Sequence, residues 1–235
     1  MNIIQFAVNH PLGFFCDLSI LPAFVLSFPL TTPSNRAVLL FKAYVWWLTA
    51  RNLLAFLTAS EHINNLFLYN IDLPIQVCIM LGVFSGLTGR PVVNQISTGV
   101  ALLFCVFFVV DLFTSNPAIM DWHNHRMNRY AHVVADGLMI AVVLLFFWQL
   151  AVTFTVPNLI RYPFFWVACG LLVCSAGSVF MAPFFFYDNI WNSRLNLDLL
   201  QRIESWVLII RNVLFGVAMW QIRQAARPVP VGRDV

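Results

Sequence analysis

Residues Ile96 to Thr114 read ISTGVALLFCVFFVVDLFT, with one charge, Asp111, close to the end. A helix needs about 20 mostly apolar residues to cross the hydrocarbon core of a bilayer. A helix that is apolar on every side belongs in lipid or deep inside a large protein. This stretch therefore predicts a membrane-spanning helix. Six others share its character, at 12–30, 37–59, 65–87, 131–154, 162–186 and 203–221. With 96–114 they make seven segments, numbered 1 to 7 in chain order.

Composition points the same way. Of 235 residues, 60% are hydrophobic and 10% charged, with 23 Phe, against about 25% charged residues in a soluble domain. A soluble enzyme is excluded. So is a nucleic-acid binder, because the net charge of +3 comes without a basic stripe. The partner these numbers imply is the lipid bilayer. The expected fold is all-α: a polytopic membrane protein with seven transmembrane helices in one bundle. One domain covers 1–222, and a short basic tail covers 223–235.

Breaks separate the segments. Thr31–Asn35, Gly86–Pro91 and Thr155–Asn158 are short, and Ser115–Tyr130 and Tyr187–Arg202 are longer and polar. Met1–His10 has no Lys or Arg and so lacks the charged start of a signal peptide. Segment 1 is expected to be retained. The five cysteines all fall in apolar segments and form no C-x-x-C, which reads as free thiols.

Lys and Arg near the helix ends predict orientation. Arg36, Arg90, Arg161, Arg223, Arg227 and Arg233 gather on one side, with Lys42 close by. The other side carries Arg126, Arg129, Arg194 and Arg202, diluted by Glu61, Asp121, Asp188 and Asp198. The N-terminus is expected outside and the C-terminus in the cytoplasm, in a bacterial inner membrane.

Ionisable groups inside a membrane are costly, so each one is a candidate functional residue. At 3.6 residues per turn, nearly all fall in the outer half. The candidate ligand-binding set is Asp17, Arg51, Asn52, Asn70, Asp72, Gln76, His132, Asp136, Glu204, Arg211 and Asn212. Arg51 and Asp72 lie at matching depth on consecutive segments and are the expected pair. Glu204 and Arg211 are seven apart and share a helix face. The arrangement predicts a polar cup open to the outside over a dry inner bundle.

His125, Arg129, His132 and Asp136 would form one stripe if segment 5 starts early. His125, His132 and Asp136 are thus weak candidate metal ligands, opposed by the positive charge of Arg129. Retinal is not expected, because Lys42 is the only lysine and lies in segment 2. No cofactor is predicted. The Asn128-Arg129-Tyr130 triplet falls on the wrong side for the seven-helix receptor motif that it echoes. All five histidines precede residue 133, which argues against a zinc hydrolase with histidines in its last helix. Gly170, Cys174 and Gly177 in segment 6 predict a close packing face. Pro22, Pro74 and Pro183 predict kinks.

Three stretches carry a resemblance: Asn64-Asn65-Leu66-Phe67-Leu68-Tyr69-Asn70-Ile71, then Pro163-Phe164-Phe165-Trp166 with Gly170-Leu171-Leu172 and Gly177-Ser178, then Trp206 to Trp220 with Arg211-Asn212. They resemble a group of seven-helix membrane proteins common in Bacteroidetes-type bacteria. The group has His, Tyr and Glu where this chain has Asn70, Asp72 and Gln76, and often His-Asn at Arg211-Asn212. The resemblance implies an architecture and no activity.

The expected function is a sensor or receptor-like protein that binds a small ligand in the outer cup. It would signal through a membrane protein partner or a homo-oligomer, because short loops leave no room for an output domain. The rival readings are a small-solute transporter, a structural subunit of a membrane complex, and a membrane-embedded metal enzyme using His132 and Asp136.

Overall fold

The computed structural model describes residues 11–28, 35–61, 64–116, 126–153, 158–191 and 197–226; for 60, 129, 183–191 and 197–201 it describes the backbone alone. Every described element is helical: α1 (Pro11–Leu18), α2 (Leu21–Ser27), α3 (Arg36–Ser60), α4 (Leu66–Thr88), α5 (Pro91–Ser115), α6 (Arg129–Thr153), a 3-10 turn at Leu159–Arg161, α7 (Pro163–Trp191) and α8 (Leu197–Ala225).

Segment 1 is not one helix. It breaks at Ser19–Ile20, and α2 begins with Pro22 in its first turn. Proline has no N–H for the preceding turn and is well placed only at a helix start. The freed Ser19 hydroxyl donates to the Cys16 carbonyl at 2.6 Å. The other boundaries follow local chemistry. The Asn35 side chain caps α3, accepting from the Ala37 N–H at 2.9 Å. Gly89, at φ 63°, ends α4 in the left-handed conformation that glycine adopts without strain. Pro91 then opens α5 five residues before the expected start at 96. Pro74 sits inside α4, which runs unbroken.

Among the described residues, five helices are long and apolar enough to cross a membrane: Leu66–Thr88, Pro91–Ser115, Tyr130–Thr153, Pro163–Ala182 and Arg202–Ala225. α3 is as long, but Lys42, Arg51 and Asn52 dilute its apolar character. The α1–α2 pair spans Pro11–Ser27, shorter than a full crossing.

The helices close into a ring: from α2 onward each packs on the next, α1 packs on α3, and α8 returns to pack on α1 and α2. α4 also reaches across to α6. It is the most enclosed helix, half buried along its span. Phe41, Tyr44, Met80, Met139, Leu171 and Phe215 form a continuous core with almost no exposure. Phe41 and Phe215 meet edge to face, their centroids 5.3 Å apart. α5 faces outward, with Leu103 72% exposed. A row of exposed side chains this apolar would be untenable in water and is at home in lipid.

The small-residue face of segment 6 is where α7 meets α8. A Cβ on Gly170 would lie 3.3 Å from the Arg211 carbonyl oxygen, and one on Gly177 3.1 Å from Val207 Cγ1. A larger residue at either position would push the two helices apart by a few tenths of an ångström.

Candidate functional site

Most of the candidate polar side chains converge in two adjoining clusters. The first lies between α3 and α4. Arg51 Nη1 and Asp72 Oδ2 are 3.6 Å apart, so the expected pair forms. Trp47, one turn before Arg51 on α3, donates its indole N–H to the other Asp72 oxygen at 2.6 Å. One further turn along α4, Gln76 Oε1 accepts from the Tyr44 hydroxyl at 3.0 Å. Residues three and four apart share a helix face, so Asp72 and Gln76 meet Tyr44, Trp47 and Arg51 across one seam. The Arg51 guanidinium also stacks over the Tyr69 ring at 4.8 Å. Asn52, on the next face, donates to the Asp17 carbonyl at 3.3 Å. This ties α3 to α1, and the Asp17 side chain lies within electrostatic reach of Arg51.

The second cluster lies between α7, α8 and the break after α1. Arg211 Nε and Nη2 both donate to Asn212 Oδ1 at 3.2 Å. Its Nη1 faces Cys174 Sγ at 3.7 Å. Its plane lies over the Phe215 ring at 5.8 Å. Asn212 donates in turn to the Ser19 hydroxyl at 2.8 Å, so the kink in segment 1 is stitched to α8. Arg211 is only 4% exposed. Among the described residues no carboxylate comes within ion-pair distance of it, although Asp72 and Asp136 lie within electrostatic reach. Glu204, two turns before Arg211 on α8, is half-buried and makes no direct contact with it among the described residues.

Asn70 has a different position from the rest of the set. Its amide donates to the Arg126 carbonyl at 2.8 Å, and its oxygen accepts from the Asn128 N–H at 3.0 Å. Asn116 repeats the pattern from the end of α5, accepting from the Arg126 N–H at 2.6 Å. Asp111 accepts from the Ala131 N–H at 2.8 Å and so caps α6 from a neighbouring helix. Asn70, Asn116 and Asp111 together hold the chain as it enters α6.

Two buried polar atoms around these clusters have no hydrogen-bond partner among the described residues: Arg51 Nε and His132 Nε2. Such atoms are uncommon in folded interiors. Ser175 has no exposure at all and lies beside the Asp136 carboxyl.

α6 begins at Arg129, with 126–128 outside any helix, so the expected metal stripe reduces to Arg129, His132 and Asp136 on the helix itself. His125 lies outside the described residues. Among the described residues no group of three or more His, Cys, Asp or Glu is placed to hold a metal ion.

Sequence reasoning found Arg51, Asp72 and Arg211 because charges stand out in apolar segments. It missed Trp47, Tyr44, Ser19 and Ser175, which look ordinary there, and gave Cys174 a packing role only. The chain matches no protein-family model, no curated protein and no solved structure.

Proposed function

We propose that the protein is a sensor or receptor-like membrane protein whose polar centre binds a small ligand entering from outside. In this reading all seven segments cross a bacterial inner membrane, with the N-terminus outside and the C-terminus in the cytoplasm. Membership of the seven-helix group that it resembles belongs to the same proposal.

The observation that carries the reading is Arg211. A guanidinium removed from water costs several kcal/mol unless an anion and full hydrogen bonding repay it. Here its described hydrogen-bond partners are Asn212 and Cys174, both uncharged in this setting. A ligand with a carboxylate or similar acidic group supplies the missing anion, and Arg binds such groups with two parallel bonds. His132, within electrostatic reach of Asp72, offers a further polar contact. The two clusters join α1, α3, α4, α7 and α8, so a ligand there bears on the packing of most of the ring. Such a ligand shifts the bundle only by its difference in affinity for two packings. The turn between α4 and α5 is two residues long, so output goes through a partner.

The test is thermal unfolding of the purified protein against a panel of small carboxylates, phosphates and amino acids. At least one acid raises the midpoint of the native protein, and Arg211→Gln abolishes that shift while still folding. A panel without any shift, together with Arg51→Ala and Asp72→Ala variants that only lower expression, would overturn the reading.

A further inference from the structure

At the Asp111 end, α5 and α6 are held together by the cap on Ala131. At their other end a cavity of about 370 Å³ lies between them, with α4 as its back wall. Its volume falls in the range of small-molecule sites, about 300–1,000 Å³. Most of the lining is apolar, with Phe84, Val142 and Phe146 at its depth. The polar members are Ser85 and Thr88 on α4, Arg90 at the start of α5 with Ser97 two turns further along it, and Gln149 and Thr153 on α6. No Asp or Glu lines it.

The charged side chains at the mouth are arginines. Arg90 is exposed and forms no ion pair among the described residues. Arg161 is also exposed, and the next residue, Tyr162, stacks on Phe146 with centroids 6.3 Å apart. A greasy slot with a cationic rim, open between two lipid-facing helices, matches one kind of molecule that a bilayer supplies.

We propose that this groove is a binding site for an anionic phospholipid. The headgroup phosphate pairs with Arg90, with Ser97 and Gln149 as donors. One acyl chain lies against Phe84, Val142 and Phe146. The occupant then bridges α5 and α6 at the end where the Asp111 cap does not reach. The groove is separate from the polar centre, so the proposal stands or falls apart from the ligand reading there.

The experiment counts bound lipid by native mass spectrometry on the full chain titrated with phosphatidylglycerol or phosphatidylcholine. The native protein retains phosphatidylglycerol in preference to phosphatidylcholine. Arg90→Gln weakens that retention about tenfold, the scale of one charge-assisted contact. Ser97→Phe fills the slot and weakens it while Arg90 is still present. Arg36→Gln, at the same end but on α3, binds as the native protein does. Equal retention of the two lipids overturns the proposal. Native-like binding by Arg90→Gln, whose exposed side chain leaves folding intact, overturns it as well. So does full competition by inorganic phosphate, which would mean a simple anion site.

Discussion

Arg51 and Asp72 pair at 3.6 Å across the α3–α4 seam, with both residues below 10% exposure. Removing one partner of a buried pair leaves the other charge without compensation, at about 3–5 kcal/mol. Arg51→Ala and Asp72→Ala are each expected to destabilise the protein on that scale. The double variant is expected to lose clearly less than the sum of the two, as residues in one network do. Denaturant unfolding in detergent reads all three. Strict additivity would show that the contact carries no coupling.

Asp111 and Asn70 hold backbone groups that belong to neither of their own helices. Loss of a side-chain cap costs about 0.5–2 kcal/mol, so Asp111→Ala is expected to fall in that range. Asn70→Ala orphans the buried Asn128 N–H, while the Arg126 carbonyl keeps the Asn116 amide at 3.1 Å, and is expected to cost about 1–3 kcal/mol. Both changes should raise hydrogen exchange over 126–131 ahead of the rest of the chain. Unaltered exchange there would contradict the clamp.

Cys78 of α4 and Cys105 of α5 place their sulfur atoms 3.6 Å apart. Mild oxidation of the purified protein is expected to join them within one chain. A peptide map would show the cross-link with the loss of two hydrogen atoms, and Cys78→Ser would abolish it. Cross-links that form only between chains, or involve Cys169 instead, would contradict the packing of α4 on α5.

Much of the fold was legible because the solvent is written in the composition. Among the described residues, five of the seven expected segments are helices long and apolar enough to cross a membrane, and helices are what lipid demands, since it offers backbone groups no partners. Depth along a helix is also a linear count. Arg51 and Asp72 could therefore be paired from sequence alone, and Arg211 marked as costly.

What the sequence by itself did not determine was the angle around each helix axis. In water a helix hides its apolar stripe and shows its polar one, so the pattern reveals the inward face. In lipid the outward face is apolar too, and the pattern carries little of that information. Tertiary structure alone turned Trp47 and Tyr44 toward Asp72 and Gln76, and turned Asn70 toward the start of α6 rather than toward Arg51. It likewise decided that α8 closes the ring on α1 and α2, that Ser19 at the break meets Asn212, and that α5 and α6 part over α4 to leave the Arg90 groove. These are contacts between distant segments, and they depend on side-chain shapes meeting in three dimensions, for which a one-dimensional pattern has no coordinate.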